Sequence, residues 1–337
     1  MRHFLTDHRF DPSASANDAL RSSSIKGHSD VVRLLLEDGR ADPTPWKNYA
    51  LRLSSANGHT DVVKLLLADG RADPAACNND AIRTSSMNGH ADVVKWLLAD
   101  GRADPAACDN QVIRWSSTKG YTDIVRLLLS DGRVDPTADR NYAIRKSSKN
   151  GHVDVVKLLL ANGCVDPAAK YNNAIRRSSQ EGHTDVVRLL LADERADPTA
   201  YDNQAIRWSS QNGHADVVQL LLDDGRVDPT ANNNGAIRYS SWYGHTDVVK
   251  LLLEDGRVNP AAWNNYAIQW SSGNGHTDVV RLLLADKRVD PTAKSNDAIR
   301  ESSRRGHTDV VKLLLADGRA DQKLISRLLL TKVVKLI

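Results

Sequence analysis

The chain is built from a sequence motif that repeats every 31 residues. Eighteen of its 20 glycines and 10 of its 11 prolines fall in three columns with that spacing, one from Gly27 to Gly306 and another from Pro12 to Pro291. Ten repeats cover residues 11–320 of the 337. A fixed period of this size predicts a solenoid-like array in which each repeat packs on its neighbours. We therefore expect one elongated domain, with a partial repeat at 1–10 and a capping or amphipathic helix at 321–337.

The second half of each repeat has the pattern of a well-packed helix. In residues 57–74, NGHTDVVKLLLADGRADP, Thr60 and Asp61 favour a helix start and Gly70 favours a left-handed C-cap. Pro74 prevents any continuation of the helix. The apolar residues span an arc of about 200° on the helical wheel. We therefore expect this helix to be packed on more than one side, between two neighbouring repeats.

A shorter helix is predicted in the first half of each repeat, for example from about Asp80 to Asn88. One face of it is small and apolar and contains Ser85 and Ser86, which permits close contact between helices. The opposite face points outward. Loops of about ten residues containing an Asp-Pro pair join the repeats, so each repeat reads as helix–turn–helix–loop and the fold class is all-α.

Composition excludes several classes of protein. The 45 Lys+Arg against 42 Asp+Glu give a net charge of +3, too even to indicate a nucleic-acid partner. Three cysteines cannot form a disulfide framework. The first ten residues lack the apolar core of a signal peptide, and no apolar run approaches the ~20 residues of a transmembrane helix. We expect a monomeric intracellular protein, with the cytoplasm favoured over the nucleus.

The string GHTDVVKLLLADG resembles the second-helix half of an ankyrin repeat and recurs in all ten repeats. The family's TPLHxAA opening is replaced by strings such as YALRLSS at 49–55 and QAIRWSS at 204–210. The repeat is also about two residues shorter than the usual ~33. The resemblance implies an ankyrin-type solenoid with short or absent β-hairpin fingers. It further implies a non-enzymatic scaffold that binds a protein partner through a concave groove of first helices and loops, without catalytic activity or cofactor.

Two patterns have the residue types of a chemical site. Ser209, Ser210, His214 and Asp216 could in principle form a nucleophilic set, but the same types recur in nine repeats, whereas a catalytic site needs one distinctive set. Histidines one repeat apart would be separated by ~8–10 Å, too far to share a zinc ion in one orientation. We therefore predict structural roles for these residues, with no catalytic residue, metal or cofactor, and regard a hydrolase as strongly disfavoured.

A column of Lys or Arg in nine of the ten repeats could follow nucleic-acid phosphates. Each basic residue lies three positions after an aspartate, as Lys64 lies after Asp61, where a helix brings the two charges together. We therefore expect a solvated outer face and no nucleic-acid partner. Cys77 and Cys108 share a column one repeat apart and are expected to be reduced thiols.

Aromatic residues are concentrated where the repeats differ. Thirteen of the 17 lie in the variable loop and first-helix columns. Large aromatics in water-facing columns suggest a binding surface, with Trp and Tyr as anchors, although the rings could instead pack on one another along the stack. We expect binding to concentrate in repeats 7–9, with Arg207 and Arg238 as a polar rim. The predicted partner-binding residues are Trp46, Trp115, Tyr142, Tyr201, Trp208, Tyr239, Trp242, Tyr243, Trp263, Tyr266 and Trp270.

The C-terminal segment QKLISRLLLTKVVKLI departs from the repeat pattern. Read as a helix, it has one apolar arc with lysines and arginines outside it. A terminal cap over the last repeat is the favoured interpretation. The alternative is a basic amphipathic segment at 322–337 that tethers the chain to a membrane surface or a partner, which would make the protein an adaptor.

Overall fold

The computed structural model of the chain describes residues 11–319. Within them the regular structure is entirely helical, without a β-strand, and every 31-residue repeat contributes two helices. We number the repeats 1 to 10 from residue 11. The predicted partial repeat at 1–10 and the predicted C-terminal helix at 321–337 lie outside the described residues. None of the helices between residues 11 and 319 combines the length and apolar character needed to cross a bilayer.

The chain divides into two compact units, which meet in sequence between Asp166 and Pro167. The prediction of a single domain over 11–320 stays a prediction. The first unit contains α1 Ala14–Ile25, α2 Ser29–Asp38, α3 Pro45–Ala56, α4 Thr60–Asp69, α5 Ala76–Met87, α6 Ala91–Asp100, α7 Ala107–Lys119, α8 Thr122–Asp131, α9 Ala138–Lys149 and α10 Val153–Ala161. The second contains α11 Ala169–Glu181, α12 Thr184–Ala192, α13 Ala200–Gln211, α14 Ala215–Asp224, α15 Ala231–Tyr243, α16 Thr246–Asp255, α17 Ala262–Gly273, α18 Thr277–Ala285, α19 Ala293–Arg305 and α20 Thr308–Ala316.

The second helix of each repeat forms the core of its unit, as the sequence predicts. In α14, Val217, Val218 and Leu221 are fully buried, and α12 and α16 pack against this helix. Gly225 adopts φ 77° and caps its C-terminus, a conformation that glycine takes without steric cost. Burying three large aliphatic side chains stabilises the repeat by roughly 5–9 kcal/mol relative to their exposure. Because that burial needs a neighbouring repeat on each side, a single repeat is not expected to fold alone, and the stacked repeats stabilise one another.

The first helices contain a left-handed turn near their start that the sequence analysis does not predict. In α5 this turn is formed by residues 77–79, and the right-handed part begins at about Asp80, as predicted. Trp263, Asn264 and Asn265 all have φ between 54° and 62° and ψ between 39° and 50°, and the right-handed helix follows them. The same three consecutive positions are left-handed in every repeat from 2 to 10. This turn takes the place of the β-hairpin finger that the shorter repeat was expected to reduce or lose. It costs strain, since L-residues disfavour this region by about 1–2 kcal/mol each.

An asparagine secures each turn to the following repeat. The third turn residue is asparagine in all ten repeats, the type that best tolerates the left-handed conformation after glycine. In repeats 1 to 9 its side-chain oxygen accepts a hydrogen bond from a backbone N–H 25 residues later, as Asn265 Oδ1 does from Asp290 N at 2.7 Å. Asn48 Oδ1 does the same with Asp73 N at 2.8 Å in the first unit. Each turn therefore fixes the start of the next repeat.

A second polar contact between repeats uses the Asp-Gly-Arg segment after the second helix. Arg102 pairs through Nε and Nη2 with both carboxylate oxygens of Asp100 at 2.8 Å, and Nη1 donates to the carbonyl of Ala72 in the preceding repeat at 2.9 Å. The hydrogen bond from Arg102 lowers the pKa of Asp100. Arg257 repeats the arrangement in the second unit with Asp255 and the Val227 carbonyl. These arginines therefore link the segment after each of these second helices to the preceding repeat.

Paired serines line the contact between neighbouring first helices. Ser209 Oγ donates to the Ala205 carbonyl of its own helix at 2.9 Å. Ser210 is fully buried, and its Oγ has no hydrogen-bond partner. The second serine of the pair is in the same condition in repeats 1 to 9. A buried hydroxyl without a partner has lost its hydration without compensation.

Replacing Ser210 by alanine should therefore stabilise the protein. We expect the free energy of unfolding to rise by about 1 kcal/mol, because the substitution removes a desolvated hydroxyl and opens almost no cavity. Ser209→Ala is the matched control, since it has the same change in volume and helix propensity but deletes a hydroxyl that is hydrogen-bonded. Denaturant unfolding followed by circular dichroism compares the two. Equal effects of both substitutions would contradict the assignment of Ser210 as unpartnered.

Candidate functional site

The aromatic residues predicted to bind a partner lie at two depths. Five are well exposed in the structure: Trp46, Trp115, Tyr201, Tyr243 and Trp263. The other six are partly buried: Tyr142, Trp208, Tyr239, Trp242, Tyr266 and Trp270. The left-handed turn explains the exposure of three of the first group, because Trp46, Tyr201 and Trp263 occupy its first position and project from the loop.

Five of these residues form one aromatic cluster in the second unit, made of Trp242, Tyr243, Trp263, Tyr266 and Trp270. Its centre is the pair Trp242 and Trp270, whose ring planes are 3° from parallel with centroids 4.2 Å apart. Tyr266 lies 5.7 Å from Trp242 and 5.6 Å from Trp270. Burial raises the pKa of Tyr266, which is consistent with a ring held inside the cluster. These distances are those of favourable ring pairs, so the central rings support one another.

The periphery of the cluster faces solvent. Trp263 is 58% exposed and meets Tyr266 edge to face at 5.9 Å. Tyr243 is 51% exposed and lies 6.3 Å from Trp242. The two interpretations of the aromatic columns thus apply to different residues, with the central rings packing on one another and the outer rings remaining open to contact.

Arg238 lies beneath the cluster and is not the rim residue that the sequence suggests. It is 2% exposed, and Nε and Nη2 each donate at 2.9 Å to the left-handed turn, to the carbonyls of Asn233 and Asn232. Its guanidinium lies 4.3 Å from the ring centroid of Trp263. Arg207 holds its own turn in the same way through the carbonyls of Tyr201 and Asp202. The prediction of a polar rim is therefore wrong for Arg238, because this arginine column supports the turns.

A smaller aromatic pair extends the exposed surface of the second unit. Tyr171 is 70% exposed and meets Tyr201 edge to face at 5.4 Å. The guanidinium of Arg176 lies 4.3 Å from the Tyr201 ring, and burial lowers the pKa of Arg176. The sequence-based selection missed Tyr171. Its signal was an aromatic residue at the second turn position, which is polar in every other repeat from 2 to 10.

The aromatic residues of the first unit are more scattered. Trp46 carries the guanidinium of Arg21 at 3.7 Å and meets Tyr49 edge to face at 5.8 Å. Trp115 is exposed on the first helix of repeat 4. Tyr142 has Arg114 at 5.7 Å from its ring centroid. These rings are paired mainly with arginine, and the larger continuous ring cluster belongs to the second unit.

Two of the residues that resembled a catalytic set, Ser209 and His214, are engaged in separate hydrogen bonds. His214 places Nε2 2.9 Å from the carbonyl oxygen of Gln180 in the preceding repeat, to which it donates. The ring covers Gly182, where an added Cβ would lie 2.6 Å from Nδ1. Ser209 donates within its own helix. Each of these contacts is structural, and within residues 11–319 no three His, Cys, Asp or Glu side chains are grouped for metal binding.

Five of the nine basic residues in the column form the predicted ion pair with the aspartate three positions earlier, namely Arg33, Lys64, Arg126, Arg188 and Arg281. Lys64 Nζ lies 3.1 Å from the Asp61 carboxylate, and Arg126 pairs with Asp123 at 2.7 Å, so these charges are neutralised on their own helix. Cys77, Cys108 and Cys164 are free and exposed thiols.

Comparison with known families identifies the repeat. The sequence profile described as "Ankyrin repeats (3 copies)" matches residues 19–109, 51–139, 113–202 and 201–262. No curated protein matches the chain at a significant level. The profile covers well over half of the chain, and its matches fall on the repeats whose paired helices stack within each unit. The chain belongs to the ankyrin-repeat family, with an all-α repeat architecture.

Proposed function

We propose that the chain is a protein-binding module whose partner contacts the aromatic first-helix surface of the second unit. Ankyrin repeats are generally protein–protein interaction modules and typically lack enzymatic activity. The observation that carries the proposal is four aromatic side chains exposed by 51–70% on that unit, Tyr171, Tyr201, Tyr243 and Trp263. Exposed Trp and Tyr are costly in water and dominate binding energy when a partner covers them.

The two depths of aromatic residue suggest two roles. In this proposal the exposed rings insert into a partner, whereas Trp242, Tyr266 and Trp270, which contact one another, supply a rigid base that loses little entropy on binding. Trp208 and Tyr239 belong to the same proposed surface of the second unit, and Trp46, Trp115 and Tyr142 are proposed as separate partner contacts on the first unit. We further propose that the protein is a cytoplasmic monomer that binds a protein partner and does not bind nucleic acid.

A double variant that adds no backbone strain tests this proposal. Tyr201→Asn and Trp263→Asn together remove two exposed anchors, and asparagine suits the left-handed turn, where Asn232 already stands at this position. Affinity capture from a lysate of the source organism, read by quantitative mass spectrometry, should recover at least one protein with the wild type. We expect recovery by the double variant to fall by roughly tenfold or more, because hot-spot aromatics are each worth about 2 kcal/mol or more.

The control removes an exposed aromatic elsewhere. Trp96 is 43% exposed on a second helix, at a position that is leucine in the other nine repeats. Trp96→Leu should capture the same proteins as the wild type. If the double variant also captures the same proteins in the same amounts, the aromatic surface is not the binding site. If only Trp96→Leu loses them, the partner binds the second-helix face.

A further inference from the structure

A small cleft lies between the first helices of repeats 9 and 10, α17 and α19. Its volume is about 170 Å³, below the roughly 300–1,000 Å³ typical of sites for drug-sized ligands. It is therefore of a size for a single side chain. The lining residues are Gln269, Trp270, Gly273, Asp297, Glu301 and Arg305.

Two departures from the repeat pattern create this cleft and its charge. Gly273 stands where each of the other nine repeats has a side chain, which leaves space beside Trp270. Gln269 stands where each of the other nine has arginine. In repeat 2 this arginine is Arg52, and its Nε lies 2.7 Å from the carboxylate of Asp80 in repeat 3. Asp297 occupies the column of Asp80 but faces a glutamine, so its counterion is missing.

Asp297 is the carboxylate of the cleft that remains to be paired. Across residues 11–319 it has neither a hydrogen bond nor an ion pair through its side chain, and it is partly buried. Glu301 is already held by Arg304 at 2.7 Å and by Arg305 at 3.6 Å. Arg305 in turn donates to Asn274 Oδ1 at 2.9 Å. The other charges of the lining are thus mutually compensated, and the cleft presents one unpaired negative charge.

Trp270 provides an aromatic wall next to that charge. One face of its ring is covered by Trp242 at 4.2 Å, while the residue also lines the cleft. Elsewhere in the chain, arginine side chains rest on exposed aromatic rings, as Arg21 does on Trp46 at 3.7 Å and Arg238 on Trp263 at 4.3 Å. Over the described part of the chain Trp270 has no such cation. The cleft therefore offers both halves of an arginine site, a ring face and a carboxylate, with the arginine absent.

We propose that this cleft binds an arginine side chain of the protein partner. The guanidinium stacks on Trp270, continuing the stack that Trp242 begins, and forms a charge-assisted hydrogen bond with Asp297. A planar guanidinium can stack on the ring and pair with the carboxylate together, which a lysine ammonium does less well. The inference rests on the proposed function and specifies the chemistry of the partner, a segment with an exposed arginine.

A titration of the full chain with a short peptide tests this without the partner. The probe is acetyl-Gly-Arg-Gly-amide, and the matched peptides carry citrulline, which has the same shape without the charge, or lysine. The indole N–H resonance of Trp270, assigned with Trp270→Phe, reports occupancy. We expect the arginine peptide to shift this resonance, with the citrulline peptide binding roughly tenfold more weakly.

Three variants locate the site. Asp297→Asn should lower the affinity for the arginine peptide by roughly tenfold. Gly273→Gln places in the cleft the residue that repeats 6 and 7 have at this column, Gln180 and Gln211, and should abolish the shift. Gln269→Arg restores the column's own arginine, which should pair with Asp297 and exclude the peptide. Asp80→Asn, in the same column but paired with Arg52 in the first unit, is the control and should bind as the wild type does.

Each outcome bears on the proposal. No shift with the arginine peptide, equal shifts with arginine and citrulline, or unchanged binding by Asp297→Asn would overturn it. A lysine peptide that binds as tightly would contradict the assignment of a guanidinium. These results are independent of the proposed function, since capture lost from Tyr201→Asn/Trp263→Asn with no peptide binding supports the aromatic surface and rejects the arginine site. Peptide binding with unchanged capture does the reverse.

Discussion

Replacing Gly213 by alanine is expected to lower the free energy of unfolding by about 3 kcal/mol, from backbone strain and overpacking together. Gly213 has φ 80°, where an L-residue is strained by about 1–2 kcal/mol. The added Cβ would also lie 2.5 Å from Nδ1 of His245 in the next repeat. The ring cannot withdraw freely, because its Nε2 is hydrogen-bonded to the Gln211 carbonyl at 2.9 Å. The substitution must therefore strain the turn and break a contact between repeats.

Gly225→Ala separates the two causes. Gly225 is in the same repeat with φ 77°, but an added Cβ there would meet nothing within 4 Å. We expect it to cost only the backbone strain, about 1–2 kcal/mol. Repeat arrays can unfold in stages. The hydrogen-exchange rates of the amides in repeats 7 and 8 should therefore be measured in addition to denaturant unfolding. Equal costs for both substitutions would show that the contact between the His245 ring and Gly213 does not contribute to stability.

Arg238→Ala is expected to lower the free energy of unfolding by about 3 kcal/mol. The substitution removes the donors to the carbonyls of Asn232 and Asn233 and leaves a cavity beneath the aromatic cluster. It also removes the cation 4.3 Å from the ring of Trp263. The left-handed turn of repeat 8 should loosen, and we expect faster hydrogen exchange there.

Two further variants test this account of Arg238. Arg238→Gln should cost about 1 kcal/mol, because an amide can still donate to the turn, as Gln269 Nε2 does to the Asn264 carbonyl in repeat 9. Arg300→Ala, at an exposed position of the same column, should change stability by less than about 0.5 kcal/mol. Denaturant unfolding followed by circular dichroism measures all three. An Arg300 effect as large as that of Arg238 would mean that burial and turn contacts are not the source of the stability.

The repeat period and the second helix could be predicted from sequence, because their signals are local and occur ten times. Thr60, Asp61 and Gly70 mark a helix that runs over Thr60–Asp69 in the structure. The left-handed turn could not be predicted in the same way. Residues such as Trp263 and Asn264 do not favour positive φ strongly enough to reveal it. The turn is stabilised by the next repeat and by a side chain that follows it in sequence, Arg238 in repeat 8 and Gln269 in repeat 9. The constant asparagine, as at Asn265, was the available signal.

The repeat columns predict which face carries the aromatic residues, but they do not predict how deeply each ring is buried. Whether Trp242 faces water depends on Trp270, which lies 28 residues later and stacks on it. Such contacts are fixed by the stagger between repeats and by side-chain rotamers, which a helical wheel of one repeat does not contain. Arg238 was misassigned for a related reason, since the carbonyls that bury it belong to an irregular turn.

The left-handed turn sets stability against the proposed contact with a partner. The four most exposed aromatic residues of the described chain, Trp46, Tyr171, Tyr201 and Trp263, lie on positive-φ backbone, where glycine or asparagine would be less strained. Repeat 8 shows the relaxed alternative, with asparagine at all three turn positions. Selection for stability alone would favour that solution in every repeat, so a bulky turn residue is retained at a thermodynamic penalty. Directed evolution for heat resistance should therefore remove the aromatic turn residues first and, with them, the proposed partner contacts.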